Sequence, residues 1–332
     1  MSLSEELIDI AKGIRRVFFA FYVPLVAMLV LLNYPYDTDP SIHPMATVRA
    51  DANPVSAEPA APPMRSVEFY EAVYSGPGKN GLQRRQGLNY EQHALAMAAL
   101  ARVRDHVATF VDKYGLKDKK ILEVGSGQGS LQDLVDDYTG LDISAAVAPK
   151  YHKKFVAASA GAMPFADNSF DAIWTVWVLE HISEPERALR EMRRVLKPGG
   201  KLFLLVAWNC SPWLADGFSV RPYGDFNWKG KLVKASLSVR DTEYFKATHI
   251  LPTRLIRWAQ YAWNGQREPL RFNALEANYS TYWQSDSDAA IGLDAFEALL
   301  WHKAQGDLCL NCTSTLNALR NPEFMWELEI HK

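Results

Sequence analysis

Three glycines at alternate positions follow a short apolar run, and this stretch has the residue types and spacing that could do chemistry. The run, residues 121–124, contains Glu123 and leads directly into Gly125, Gly127 and Gly129. Glycine can take positive φ and has no Cβ, so its backbone can lie close to a ligand, with N–H groups facing it at the start of a helix. The pattern predicts a buried parallel strand whose following turn binds a small molecule.

A second carboxylate ends the next predicted strand. Residues 138–144 read Tyr-Thr-Gly-Leu-Asp-Ile-Ser, so Asp142 stands where a side chain can accept hydrogen bonds from a ribose. A dinucleotide fingerprint would need its third glycine at position 130, which is Ser130, and no Lys-Ser or Lys-Thr pair follows the glycines to bind a triphosphate. Together the two strands predict a βαβ unit that binds a nucleoside.

Five motifs in chain order resemble the class I S-adenosylmethionine-dependent methyltransferases, specifically the type 11 group that includes the ubiquinone and menaquinone enzymes. The glycine turn and the strand ending in Asp142 are followed by residues 155–165, which resemble the third strand and adenine loop, by residues 169–182, and by residues 184–209. The resemblance implies an α/β, Rossmann-like fold whose sheet is mostly parallel with an antiparallel terminal strand. It also implies S-adenosylmethionine as the cofactor, with the glycine turn holding its methionyl part.

The resemblance implies which residues contact the cofactor. Glu123 and the glycine turn are expected at the methionyl end, Asp142 at the ribose and Ile143 against the adenine. Many relatives carry Asp where this chain has Ser159, whose hydroxyl can still bind the adenine amino group. The complete set predicted to bind the cofactor is Glu123, Gly125, Ser126, Gly127, Gly129, Asp142, Ile143, Ser159, Ala160, Met163 and Thr175.

His181 is the candidate catalytic residue, because Glu180 and His181 follow the fourth strand at the mouth of the predicted pocket. Histidine is easily poised as a general base near neutral pH and could remove a proton from an acceptor hydroxyl. A role in shaping the site is the alternative, since the same turn is common across the family. The sequence indicates no metal site: Cys309 and Cys312 lack a second pair, and in a strand they would point to opposite faces.

The N-terminal sequence predicts a membrane helix over residues 1–33. Residues 17–32 carry no charge, a stretch slightly shorter than the ~20 residues that usually span a bilayer. A transmembrane anchor is favoured over a cleaved signal peptide and over a buried core helix. We expect the chain to contact a membrane through residues 14–34 and residues 34–64 to form a Pro-rich linker.

Charge around the apolar run gives conflicting signals for the side of the membrane. Lys12, Arg15 and Arg16 precede the run and no Lys or Arg follows before Arg49, which indicates an exported catalytic domain. S-adenosylmethionine, however, is made in the cytosol. The localisation expected is therefore membrane-associated, with the catalytic domain on the cytosolic face.

The methyltransferase domain is predicted over residues 65–332, with a substrate-cap insertion at residues 210–290. Between Arg221 and Arg271 there are ten Lys or Arg against four Asp or Glu, interleaved with aromatic residues. This mixture suits a lipid headgroup, a sugar chain or an anionic substrate, and a solvated helical cap is the alternative. An insertion after strand five lies at the edge of the sheet where ligands bind.

Helices and strands are also predicted at both ends of this domain. A lid helix is expected over residues 66–75 and one long helix over residues 90–114. Near the C-terminus we expect a helix over residues 293–305 and strands over residues 307–315 and 324–331. Tyr70 and Tyr74 of the lid helix are expected either to close over the cofactor or to pack the helix on the sheet.

The main hypothesis is methyl transfer from S-adenosylmethionine to a hydroxyl of a lipid, a lipid-linked sugar or an amphipathic small molecule at a membrane. The alternatives are a non-catalytic cofactor-binding scaffold of a membrane assembly and an exported glycan-modifying methyltransferase. A quinone-type C-methyltransferase is the nearest variant. A net charge of −2 gives no reason to expect nucleic acid as a partner, and the sequence sets no oligomeric state.

Overall fold

The chain divides into two compact units, one of residues 1–45 with 221–242 and one of residues 46–220 with 243–332. The computed structural model describes residues 64–75, 90–207, 210–240, 243–264, 269–279, 286–312, 314, 318–319 and 325–332. In the first unit these residues form a short 3₁₀ helix, Tyr223–Asp225, and one α-helix of thirteen residues. The second unit contains every strand of the described residues.

A sheet lies at the centre of the second unit. Its described strands and those of a small second sheet are β1 Lys120–Val124, β2 Asp137–Asp142, β3 Lys154–Ala157, β4 Phe170–Val176, β5 Leu196–Leu205, β6 Asn273–Ala274, β7 Ile291–Gly292, β8 Leu308–Cys309 and β9 Met325–Glu329. The main sheet has the order β3-β2-β1-β4-β5-β9-β8, and β6 pairs with β7. Strands β1 to β5 are parallel, whereas β9 is antiparallel to both of its neighbours. The predicted mostly parallel sheet with an antiparallel terminal strand is confirmed.

The helices of the described residues are α1 Met64–Tyr74, α2 Tyr90–Leu100, α3 Val103–Lys113, α4 Pro185–Val195, α5 Pro212–Ala215, α6 Trp228–Arg240, α7 Glu243–Asn264 and α8 Ala295–Ala304. The single helix predicted over residues 90–114 is wrong, because the chain turns at Arg102, whose φ is 50°. Helix α3 buries Val103, Val107 and Phe110 on one face, while α2 buries none of its residues. The break lets α3 pack on the sheet without carrying α2 with it.

The central strands are buried on both faces. Ile121, Leu122 and Val124 of β1 and Ile173 and Trp174 of β4 have no exposed surface. This is expected of parallel strands, which read as continuous apolar runs because helices cover both faces. The carboxyl ends of β1, β2 and β4 therefore lie side by side at one edge of the sheet.

The C-terminal cysteines differ from the sequence interpretation. The strand predicted over residues 307–315 is only two residues long, so Cys312 lies beyond it. Cys309 and Cys312 are joined by a disulfide with a Cα–Cα distance of 5.5 Å. The expectation that they point to opposite faces of one strand is wrong, because the chain turns between them.

Two of the cations counted in the predicted substrate cap are engaged within the fold. Arg254 of α7 donates to the carboxylate of Asp294 at 2.6 and 2.8 Å, and Arg257 donates to Glu297 at 2.7 Å. Both arginines are buried. These pairs join α7 to the start of α8, so they contribute to the fold instead of facing an anionic ligand.

The predicted localisation is contradicted. Across the part of the chain that the structure describes, none of the helices combines the length and apolar character that crossing a membrane requires. The membrane helix and the linker, residues 1–33 and 34–64, lie outside the described residues apart from Met64, where α1 begins.

The buried pair of Arg257 and Glu297 gives a stability prediction. Glu297→Ala leaves the guanidinium buried without its carboxylate, a loss that typically costs about 3–5 kcal/mol of unfolding free energy. The control Asp105→Ala removes the partner of Arg102 in a pair whose side chains are 60% and 75% exposed, and should cost at most about 1 kcal/mol. Urea denaturation measures both losses. Equal losses would show that α7 and α8 do not depend on the buried pair.

Candidate active site

Two adjoining cavities lie at the carboxyl ends of the central strands, with volumes of about 270 and 190 Å³. They share five wall residues, which are Tyr74, Tyr90, Gly125, Trp177 and His181. The first cavity extends over the end of β2, and the second extends over the glycine turn after β1. This is the edge of an open α/β sheet at which ligands bind.

Asp142 lies at the wall of the first cavity. Its Oδ2 accepts a hydrogen bond from Gly127 N at 2.8 Å, and its Oδ1 accepts one from Ser144 N at 3.0 Å. Burial raises the pKa of this carboxyl, although the backbone N–H groups oppose the effect. Each carboxylate oxygen has a further lone pair, so Asp142 can still accept hydrogen bonds from the hydroxyls of a ligand.

The glycine turn packs closely against the residues that follow β4. Gly125 has a φ of +69°, and a Cβ at this position would lie 2.1 Å from Cγ2 of Val178. Gly129 also has positive φ, but a Cβ there would meet the ring of Tyr151 at 2.7 Å, away from the two cavities. Gly125 is therefore required by both conformation and space at the cavity wall.

Glu123 lines the second cavity beside the turn and is buried. Its carboxylate accepts a hydrogen bond from the hydroxyl of Tyr138. Burial raises the pKa of Glu123 to about 8, and the bond from Tyr138 only partly offsets it. Without a ligand, this carboxyl is therefore mostly protonated at neutral pH.

His181 lies between carboxylates at the wall shared by both cavities. Its Nδ1 is 3.4 Å from the backbone oxygen of Asp288, and its Nε2 is 4.0 Å from Oε1 of Glu180. Burial by itself lowers the pKa of His181, but the negative charges of Asp288, Glu180 and Asp286 outweigh it and raise the pKa. Tyr70 donates a hydrogen bond of 2.7 Å to Oδ2 of Asp288, which holds this carboxylate beside the ring.

Three tyrosines form the outer wall of the first cavity. Tyr70 and Tyr74 come from α1, and Tyr90 begins α2. The rings of Tyr70 and Tyr74 are stacked with centroids 6.4 Å apart, and Tyr74 meets Tyr90 edge-on at 5.6 Å. The helix predicted as a lid thus places both of its candidate tyrosines at the cavity.

Most of the residues predicted from sequence meet at the two cavities. Those that line at least one of them are Glu123, Gly125, Ser126, Gly127, Asp142, Ile143, Ser159, Ala160 and His181. Gly129, Met163 and Thr175 do not line either cavity. Met163 is buried in the core, and Thr175 is buried within β4 between Val124 and Leu204 of the neighbouring strands.

Sequence reasoning missed several wall residues, namely Trp177, Val178, Arg187, Asp286 and Asp288. Trp177 has a φ of 53°, which is uncommon for a bulky residue, and its N–H donates to Leu205 O at 2.9 Å. No local sequence pattern predicts a positive φ at Trp177. Asp286 and Asp288 stand more than 100 residues beyond β4, so only the fold brings them to the site.

Comparison with known proteins identifies the protein family that the residues around this site resemble. Residues 122–204 match the profile of the family described as Methyltransferase domain. Over these residues the chain is similar to the class I methyltransferases. The predicted resemblance to the type 11 group is confirmed, and S-adenosylmethionine is the cofactor of this class. The residues present fit that cofactor, since carboxylates flank a glycine turn that leaves no room for a Cβ.

Relatives of the methyltransferase domain include two curated quinone-type enzymes. The chain is 40% identical over 102 residues to the demethylmenaquinone methyltransferase of Renibacterium salmoninarum, which is 28% of this chain and 43% of that protein. It is 29% identical over 143 residues to a ubiquinone/menaquinone biosynthesis C-methyltransferase of Hahella chejuensis, which is 37% of this chain and 57% of that protein. The chain thus spans about half the length of each.

Among solved structures, the chain is similar to the YcgJ protein of Bacillus subtilis. The identity is 23% and the TM-score is 0.29, with 34% of this chain and 56% of that chain covered.

Gly125→Ala tests the close fit of the turn. The added Cβ would overlap Val178 and would require the left-handed conformation, which alone costs about 1–2 kcal/mol. The turn must shift, so we expect affinity for S-adenosylmethionine to fall at least tenfold in calorimetric titration. Gly115→Ala is the control, because Gly115 also has positive φ but open space around its Cβ position. Equal affinity in both variants would contradict a close approach of the turn to the ligand.

Proposed function

We propose that the protein transfers a methyl group from S-adenosylmethionine to a small apolar acceptor at the two adjoining cavities. The observation that carries this proposal is the position of Glu123 and Asp142. They stand at the ends of adjacent parallel strands, on either side of a glycine turn that closes against Val178. In this arrangement, Asp142 and Ile143 bind the adenosine in the first cavity together with residues 158–161.

The methionyl end of the cofactor lies beside Glu123 and the glycine turn in this proposal. Glu123 then faces the methionyl ammonium, and the buried carboxylate gains an opposite charge. Asp142 accepts hydrogen bonds from the ribose hydroxyls while retaining those from the backbone. Held in this way, the cofactor would supply a sulfonium methyl group to an acceptor at the two cavities.

The chemistry requires the acceptor and the methyl group to be in line. A lone pair of the acceptor attacks the methyl carbon, the bond from sulfur to that carbon breaks, and the sulfur keeps the electron pair as a neutral thioether. A hydroxyl acceptor also loses its proton. His181 is the candidate that receives this proton, since it lies at the wall of both cavities.

The second cavity supports an apolar acceptor. Its apolar walls are formed by Ala94, Leu95, Met97, Ala98, Val103, Leu131, Val176 and Trp177. Asp286 and Asp288 add negative charge at its inner end, which disfavours an anionic acceptor. We therefore propose a neutral or cationic amphipathic molecule that carries a hydroxyl, rather than a phosphorylated one.

Methyl transfer to carbon is the second candidate. It is favoured by the relative from Hahella chejuensis, which is named a ubiquinone/menaquinone biosynthesis C-methyltransferase. An apolar ring between α2 and the glycine turn would suit the same cavity. The two candidates differ in the bond that forms, so product analysis separates them.

Protonation of Glu123 gives a prediction for cofactor binding. At pH 6.5 its carboxyl, with a pKa of about 8, is protonated, whereas the α-amino group of the cofactor is charged. Binding favours the carboxylate, so close to one proton should be released, and affinity should increase as pH rises from 6 toward 8. Calorimetry in buffers of different ionisation enthalpy measures the release. Glu123→Gln should release no proton on binding. If the binding enthalpy of the wild type is the same in every buffer, Glu123 does not pair with the ammonium group of the cofactor.

A binding and transfer experiment tests the proposed function. The full chain is titrated with S-adenosylmethionine and with NAD, and then incubated with hydroxylated and quinol acceptors whose methylation is followed by mass spectrometry. We expect binding of S-adenosylmethionine only and methylation of neutral acceptors. Asp142→Ala should weaken cofactor binding by about 1.5–3 kcal/mol, because a charge-assisted hydrogen bond is lost.

The control for that variant is Asp118→Ala, whose side chain is 74% exposed, and it should bind as the wild type does. Unchanged affinity of Asp142→Ala would show that the ribose lies elsewhere. Cofactor binding without methylation of any acceptor would favour a scaffold over an enzyme.

A further inference from the structure

A cluster of three ionisable side chains includes two residues of the second cavity's wall, His181 and Asp286, and the buried Glu180 next to them. Glu180 and His181 belong to a 3₁₀ helix, Leu179–His181, just after β4, and Asp286 lies at the start of a turn before β7. The two segments are held side by side because Ala290 N donates to Glu180 O at 2.7 Å. Residues that are 105 positions apart are thus fixed next to each other.

The donor atoms of this cluster lie close to the separations that a metal ion needs. One carboxylate oxygen of Glu180, one ring nitrogen of His181 and one carboxylate oxygen of Asp286 all lie within 4.8 Å of one another. Ligands bind transition-metal ions at about 2.0–2.2 Å, so two ligands of one ion are at most about 4.4 Å apart. The donors must therefore move slightly closer together when they bind one ion.

The burial of Glu180 is an independent observation that points to a cation as its ligand. Glu180 has no exposed surface, and within the described residues its carboxylate oxygens accept no hydrogen bond of good geometry; only the backbone N–H groups of Glu180 and Ala207 approach them. A buried carboxylate without a partner is costly, and native structures usually provide one.

The environment of His181 prepares one ring nitrogen for coordination. Nδ1 faces Asp288, 3.4 Å from its backbone oxygen and 3.5 Å from Oδ2, so a proton on Nδ1 is oriented by this residue. Nε2 then carries the lone pair and faces Glu180. A histidine ligand commonly donates its other N–H to a carboxylate or a backbone carbonyl, and Asp288 offers both.

We infer that Glu180, His181 and Asp286 bind one divalent transition-metal ion. One imidazole with two carboxylates suits Zn²⁺ or Mn²⁺ better than Mg²⁺ or Ca²⁺, which prefer oxygen ligands alone. An organic ammonium group is a poorer occupant, because both Glu180 oxygens are closed to a sphere the size of water. A bare ion is small enough to reach them.

The position of the ion has a consequence for the reaction that rests on the proposed function. His181 and Asp286 both line the second cavity, so the ion would border the space assigned to the acceptor. An acceptor hydroxyl bound to it would have a lowered pKa and would lose its proton to solvent. His181 would then act as a ligand instead of receiving that proton.

Metal content measures the site without reference to activity. The untagged full chain is treated with a chelator, dialysed, and titrated separately with Zn²⁺ and Mn²⁺, and bound metal is counted by plasma mass spectrometry. We expect one equivalent of at least one of these ions per chain, together with an increase in melting temperature. Glu180→Gln and Asp286→Asn should each weaken binding at least about 100-fold, more than the loss of an outer partner of a ligand.

Asp133→Asn is the matched control, since it removes the charge of an exposed carboxylate that pairs with His152, and it should bind the ion as the wild type does. Asp286→Asn decides the question if Glu180→Gln fails to fold. No bound ion in the wild type, or unchanged binding in the variants, would overturn the inference. Titration of the same samples with S-adenosylmethionine separates this failure from that of the proposed function: a chain that binds cofactor without metal refutes only the ion.

Discussion

The parallel pairing of β1 with β2 and with β4 is the constraint on which the site depends. Parallel strands that are neighbours must end at the same edge, so three loops meet there regardless of their separation in the chain. Glu123 pairs with Gly140 on one side and with Trp174 on the other, which fixes the height of the acid relative to Asp142 and to the end of β4. The glycine turn, Asp142 and His181 share one edge for this reason.

Carboxyl groups are concentrated around the two cavities. Glu123, Asp142, Glu180, Asp286 and Asp288 are all placed there, and burial raises the pKa of the first three. A protein does not hold several desolvated carboxylates together without cost, and cations relieve it. A sulfonium, an ammonium and a metal ion are three cations that would each neutralise a different part of this group. The electrostatics of the site therefore favour positively charged ligands throughout.

The parts of the site that could be predicted are those encoded within a short stretch of sequence. The end of β1, the glycine turn and Asp142 fall within about twenty residues, and each residue type has a local physical reason for its position. Asp286 could not be predicted in the same way, because the pairing of Ala290 with Glu180 that brings it to the site is a tertiary contact. The prediction of one helix across α2 and α3 failed for a related reason. An Ala-rich stretch has no local stop signal, and the packing of α3 on the sheet decides where α3 begins.

Cys309 and Cys312 show the same limit of prediction from local sequence. Spacing alone is compatible with one strand, but the chain turns after Cys309, and the sulfur atoms meet. Likewise, the excess of Lys and Arg after β5 gave no indication that Arg254 and Arg257 are used to join α7 to α8. Composition counts charges but does not say which of them are already neutralised inside the fold.

The uneven burial of the cavity wall has a consequence for how molecules enter it. Strand β4 belongs to the core, whereas α2 buries none of its residues, and Leu95, Met97 and Leu100 are exposed by 43%, 39% and 78%. Local unfolding costs least where the least apolar surface is buried. Helix α2 is therefore the side of the second cavity that opens at the lowest free energy. A molecule in the second cavity can exchange with solvent there while the sheet stays folded.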